Sequence, residues 1–98
     1  MTDIEQSIVA WHKETFPNAT DAAVLAKMLE EVDELRRAIL SGDQYSIMEE
    51  LADVGIVGSV WLERKYNSLR FVMISKLDVN RRRTWGDETE NGDRPRVK

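Results

Sequence analysis

Glu30-Glu31-Val32-Asp33-Glu34, answered further along by Glu50-Leu51-Ala52-Asp53, is the pair of segments on which the reading of this chain turns. Eight acidic residues lie between Glu30 and Asp53. Carboxylates at that density repel one another unless a positive charge sits among them. A divalent cation that in turn holds a polyphosphate would supply it. The break at Ser41-Gly42-Asp43 separates the two segments: Gly42 can end one helix and Asp43 can cap the next. Glu34 precedes Gly42 by eight residues and Glu50 follows it by eight. At 1.5 Å per residue each lies roughly 12 Å from the turn, so an antiparallel hairpin sets the clusters level and face to face.

On a wheel of about 100° per residue, the apolar arc of the second helix is centred between Val32 and Ile39. Lys27, Glu31, Glu34 and Ala38 line one flank of that arc, whereas Asp33 and Arg36 point away. On the third helix Ile47, Glu50, Val54, Val57 and Trp61 form one stripe, with Asp53 on its edge. Glu50 therefore stands inside an apolar stripe, where an unpaired carboxylate would cost several kcal/mol or be forced neutral. Glu31, Glu34, Glu50 and Asp53 together can supply oxygen ligands to Mg²⁺ and leave positions for water and phosphate. The plainer alternative is a solvated acidic face.

Working outward, Ile4, Ile8, Val9, Trp11 and Phe16 pattern a first helix from Asp3 to about Phe16, ended by Pro17-Asn18. Thr20 is an N-cap with Asp21 in the first turn, opening the second helix, which runs to about Leu40. The third helix runs from about Gln44 to Tyr66 and contains Gly55 and Gly58, which allow a close helix approach. Asn67-Ser68 is a joint, and Leu69 to about Arg82 a fourth helix. No β-type alternation and no repeat is evident. The expected fold is an all-α four-helix bundle occupying residues 1–86, followed by a polar, mobile tail at 87–98.

The chain has 98 residues, a net charge of −4 and no cysteine. It is one small domain, for which self-association is a natural source of added stability. Disulfides and zinc–thiolate sites are excluded, and the lone His12 makes a histidine-based metal site a poor fit, leaving a hard cation on oxygen ligands. His12 reads as a surface or interface residue. No apolar run reaches the roughly 20 residues that span a bilayer, and Met1–Glu5 does not resemble a signal peptide. A cytoplasmic location is expected (the host cytoplasm for a phage-encoded protein), with no membrane partner. The acidic balance argues against stable nucleic-acid binding. Seven of fourteen basic residues nevertheless lie from Lys76 onward.

Other residues have a functional reading beside a plain one. Lys27 can contact a phosphate oxygen, or simply pair with Glu31 one turn on. Lys76, Asn80 and Arg83 share a helix face that suits phosphate, arginine making two-point contacts, or form a solvated basic face. Trp11 and Trp85 can stack on a base or fill core, and Asn18 can read a base edge or serve the turn.

Glu30-Glu31-x-x-Glu34 with Glu50-x-x-Asp53 resembles the EExxE…ExxD signature of the MazG-like all-α nucleoside triphosphate pyrophosphatases. The flanks extend the likeness: Trp11 through Phe16-Pro17 before it, and Lys76-x-x-x-Asn80-x-x-Arg83-x-Trp85-Gly86 after it. These look most like the small, often phage-borne dATP/dGTP pyrophosphohydrolases, covering residues 5 to 86. The family's downstream aspartate-glycine and histidine are matched only loosely, by Asn91-Gly92-Asp93. The resemblance implies Mg²⁺-dependent hydrolysis (Mn²⁺ able to substitute) of a nucleoside triphosphate, with a purine deoxynucleotide the expected substrate, to monophosphate and pyrophosphate. It implies Glu31, Glu34, Glu50 and Asp53 as ligands, Glu30 as an auxiliary that binds a further ion or helps deprotonate water, and a homodimer or homotetramer. The reading from a different class is a non-enzymatic helical module that binds a protein partner or DNA through Arg81, Arg82 and Arg83.

Overall fold

Side chains placed by the sequence open three of the four helices. In the computed structural model, which describes residues 3–63 and 68–97, the elements are α1 (Ile4–Thr15), α2 (Asp21–Ser41), α3 (Gln44–Glu63) and α4 (Leu69–Arg82). Asp3 accepts from the Glu5 amide at the start of α1, Thr20 from the Ala23 amide at the start of α2, and Ser68 from the Phe71 amide at the start of α4. Each satisfies a first-turn N–H that has no partner within its helix. Asp43 accepts from the Tyr45 amide and the Ser46 hydroxyl just before α3. Gly42 ends α2 with φ of 75°, a left-handed conformation that costs glycine little and most residues considerably. The expected end of the third helix at Tyr66, and Asn67 of the joint, lie outside the described residues.

All four helices are as the sequence predicts, and no strand occurs among the described residues. Their packing is uneven. α2 and α3 form the main contact, α1 lies against α3, and α4 touches α3 only lightly. Glu5 ties α1 to the start of α4: its carboxylate accepts from the Ser68 hydroxyl and the Arg70 amide. The close approach expected at Gly55 and Gly58 is mild. A Cβ at Gly55 would meet nothing within 4 Å, and one at Gly58 would reach Leu69 Cδ2 at an ordinary 3.5 Å.

The face that α2 buries is not the centre of its apolar arc. Val24, Glu31 and Ala38, at i, i+7 and i+14, are buried, while Leu25, Leu29, Val32 and Ile39 are about half or more exposed. The seam with α3 thus runs along what the wheel places as a flank, and much of the richest apolar stripe faces outward. Ile74 and Phe71 of α4 are more than half exposed as well. A radius of gyration of 16.3 Å exceeds the ~13 Å expected of a compact chain of this length, which fits a fold with apolar faces left open.

Beyond α4 the chain doubles back. A single bridge pairs Trp85 with Arg96, the Gly86 amide donates to the Pro95 carbonyl, and the Val97 amide donates to that of Thr84. A Cβ at Gly86 would lie 2.9 Å from Pro95 Cγ, so the approach of these two segments requires glycine there. No helix among the described residues is long and apolar enough to cross a membrane.

Candidate metal and nucleotide site

The buried seam of α2 carries a charged residue at its middle. Glu31 is only 5% exposed, the most buried charged residue described. One turn earlier Lys27 sends its ammonium to Glu31 Oε1 at 3.0 Å and to Glu30 Oε1 at 3.6 Å. The hydrogen bond to Glu31, and then its charge, hold the Lys27 pKa above its ordinary value. One oxygen of Glu31 is therefore engaged by its own helix. The other, Oε2, is buried without a hydrogen-bond partner among the described residues.

α3 brings two more carboxylates to the same place. Glu50 is half-buried on its apolar stripe, and its Oε2 is likewise buried without a donor. Glu31, Glu50 and Asp53 each offer one oxygen, and the three oxygens lie within 4.8 Å of one another. Glu34 stands beside them. A hydrogen bond shared with Glu31, then loss of hydration, then the charges of Glu31 and Glu50 hold its carboxyl above the ordinary range. A cluster of anionic oxygens, two of them buried and undonated, costs free energy as it stands and suits a hard divalent cation. The donor set fits: all oxygen, with no sulfur and no imidazole among the three.

Glu31 and Asp53 open onto a cavity of about 530 Å³ between the helices. Lys27, Glu31 and Asp53 line its polar side. Its remaining wall is mostly apolar, with Val24 of α2, Ile56, Val57 and Val60 of α3, and Ala19 and Ala23. Trp11, His12 and Phe16 close it from α1 and the residue that ends it. Trp11 and Phe16 meet edge to face, centroids 5.9 Å apart, and the His12 ring lies 5.2 Å from that of Phe16. Such a volume is of the size that holds small-molecule ligands.

Of the residues singled out in the sequence, the structure brings together Lys27, Glu31, Glu34, Glu50 and Asp53, with Trp11 across the cavity. Glu30 faces outward and touches Lys27. Asn18 is exposed in the turn after α1 and does not line the cavity. Lys76, Asn80, Arg83 and Trp85 do not line it either. Three of them form their own cluster at the end of α4: Arg83 Nη1 donates to Asn80 Oδ1 at 3.2 Å, and the Trp85 indole donates to the Asn80 carbonyl at 3.0 Å. His12, read from the sequence as a surface or interface residue, and Phe16, read there as part of the first helix and of the family-like flank, also line the cavity. Their spacing of i and i+4, with Trp11 adjacent, was the available signal.

Residues 19–60 match the family described as the MazG nucleotide pyrophosphohydrolase domain. That stretch contains Lys27 and every carboxylate of the cluster. No curated protein sequence matches the chain. Among solved structures the chain is similar to the cyanophage S-2L MazG-like pyrophosphohydrolase, seen bound to dGDP and three catalytic Mn²⁺ ions per active site. The identity is 26% and the TM-score 0.68, over 96% of this chain and 93% of that one.

Proposed function

This chain belongs to the MazG-like nucleotide pyrophosphohydrolases, hydrolases that act on nucleotides, and we propose that it cleaves purine deoxynucleoside triphosphates, dGTP or dATP, between the α- and β-phosphates with Mg²⁺. Mn²⁺ can take the place of Mg²⁺. One observation carries this reading: a cluster of three carboxylates with two undonated buried oxygens borders an aromatic-walled cavity that Glu31 and Asp53 line. The solved relative, with its dGDP and Mn²⁺, supports both halves of it.

In this proposal Glu31, Glu34, Glu50 and Asp53 hold the divalent cation. When bound it supplies charge neutralisation of the triphosphate and acidification of water. Lys27 keeps one oxygen of Glu31 occupied, which turns the other toward the cluster. Glu30, at the outer edge, is placed to take up a proton from water or to hold a further ion. Trp11 and Phe16 present ring faces and edges to a base, and the valines and isoleucine around them exclude water from it. Arg83, with Asn80 and Trp85, forms a second polar cluster suited to phosphate, and Lys76 on the same helix is a further phosphate contact. Asn18, in the turn, is a contact for the base edge. The DNA-binding alternative is weakened by the pairing of Arg82 with Asp78 at 2.8 Å.

The expected products are the deoxynucleoside monophosphate and pyrophosphate, with purines hydrolysed fastest. Incubation with each of the four deoxynucleoside triphosphates and Mg²⁺, followed by chromatography of the products, checks this. Release of inorganic phosphate and a diphosphate would overturn the assignment.

The same reading includes assembly into two or four copies. The outward arc of Leu25, Leu29, Val32 and Ile39, with Phe71 and Ile74 of α4, leaves large apolar side chains about half or more exposed, as interaction surfaces do. A partner copy would cover it and could bring the Arg83 cluster to a neighbouring cavity. Light scattering at micromolar concentration is expected to give a multiple of 11.3 kDa, and a monomer mass would count against it.

A further inference from the structure

We infer that Lys27 is a built-in competitor for the cation: its ammonium supplies part of the counter-charge at Glu31, and so holds the metal affinity down until a triphosphate enters the cavity. The inference rests on the proposed function and concerns how the same site is loaded. Glu31 is a buried carboxylate with two claims on its one charge. Lys27 Nζ holds its Oε1 at 3.0 Å, while Oε2 is buried without a donor and the residue gives an oxygen to the cluster with Glu50 and Asp53. A carboxylate already paired with an ammonium attracts a second cation less, because the two positive charges repel across it. Among the described residues no lysine or arginine is paired with Glu34, Glu50 or Asp53, so the ammonium acts on the cluster through Glu31.

The same bond has a second consequence of opposite sign. By occupying Oε1 it orients Oε2, and orienting a ligand strengthens metal binding. The two effects separate when the bond is kept and the charge removed. A charge within ~4–6 Å changes an ionic equilibrium by roughly 10- to 1000-fold, the size of the pKa shifts such neighbours cause. The Lys27 side chain is 54% exposed, so water and salt screen it and the lower end applies. Lys27 also lines the cavity. A triphosphate bound there brings several negative charges beside the ammonium and offsets it, which relieves the opposition to the cation. Linkage makes the relation mutual: nucleotide that raises the affinity for the cation has its own affinity raised by the same factor. Cation and nucleotide then load together, and the nucleotide-free site holds its ion weakly.

Calorimetric titration with Mn²⁺ compares wild type, Lys27→Gln and Lys27→Arg. It is run with and without a deoxyguanosine triphosphate that carries a methylene in place of the α,β-bridging oxygen. Glutamine at this spacing keeps a hydrogen bond to Glu31 without the charge, and arginine keeps the charge. Without nucleotide, Lys27→Gln is expected to bind Mn²⁺ about tenfold more tightly than wild type, and Lys27→Arg to stay close to wild type. With the analogue present, the gap between wild type and Lys27→Gln is expected to narrow. Metal taken up by free analogue is the same for all three proteins and drops out of the comparison. Equal or weaker binding in Lys27→Gln overturns the inference, since Lys27 then acts by orienting Glu31 or not at all. So does an affinity in Lys27→Arg as high as in Lys27→Gln, or a gap that the analogue leaves unchanged. A pyrophosphate assay of the wild type separates the two readings. Activity alongside any of those results removes the inference alone, whereas no Mn²⁺ binding and no pyrophosphate remove the proposed function and the inference with it.

Discussion

Replacing Glu50 with glutamine is expected to abolish pyrophosphate release while leaving the protein folded. Glutamine has nearly the shape of glutamate, so the half-buried position between Ile47 and Val54 keeps its packing. What is lost is one negative charge and one of the two buried oxygens that lack a donor. Losing a group that merely orients a metal ligand costs ~10–100-fold in affinity or activity, so losing a ligand should cost at least about a hundredfold. The stability of the metal-free protein should move the opposite way. Like charges a few ångströms apart near a protein surface repel by on the order of a few kcal/mol, and Glu50→Gln removes one of them from the vicinity of Glu31, Glu34 and Asp53. The melting temperature without metal should be unchanged or raised. Coupled assay of pyrophosphate, together with thermal unfolding in a chelator, reads both effects. Full activity in the variant would exclude Glu50 from the site.

The second large effect concerns the cation itself. Mg²⁺ or Mn²⁺ at a hundred times its dissociation constant should add about 2.7 kcal/mol to the folded state. For a domain of this size that is a rise in Tm of ~10–20 °C. The effect should depend on pH in a direction that Glu34 determines. Its carboxyl is raised above the ordinary value of 4.5 by the hydrogen bond with Glu31, by lost hydration, and by the charges of Glu31 and Glu50. A raised carboxyl binds its proton more tightly in the folded than in the unfolded chain. Its stabilising contribution is therefore complete below the unfolded pKa and is lost as pH rises through the folded one. Without metal, wild type should lose stability relative to Glu34→Gln as pH climbs from below 4.5 toward neutrality. With metal that trend should reverse, because the cation binds the ionised carboxylates and competes with the proton. Calorimetry of both proteins across this range, with chelator and with metal, provides the comparison. Metal that left Tm unmoved at neutral pH would count against a cation site at these residues.

Much of this site was legible before any coordinates. The period of α2 and α3, the Thr20 cap and the Gly42 break define an antiparallel hairpin, and equal spacing from Gly42 sets Glu34 level with Glu50. What misled was the helix wheel of α2. It ranks faces by apolar content and so centres the core between Val32 and Ile39, but Val32 and Ile39 are about half exposed. A wheel records that a face is apolar, not whether its partner lies in the same chain or in another copy. Glu50 stood out because it interrupts an apolar stripe. The deeper carboxylate, Glu31, did not, because its burial comes from the seam with α3 and from no pattern on α2.

His12 illustrates the same boundary. A lone histidine on an amphipathic helix has no periodicity of its own, and its place beside the cavity depends on how α1 lies on α3. The hairpin from Thr84 to Val97 was also hidden, since it is held mainly by backbone hydrogen bonds to which many sequences could conform. The sequence by itself determined the helices, their caps and the pairing of the acidic segments, because these are local and set by spacing along the chain. Only the tertiary structure decided which face of α2 became the seam, which carboxylate was buried deepest and which rings enclosed the cavity. Those depend on contacts between elements far apart in the chain, where several packings satisfy the same pattern and the free energy of the whole selects among them.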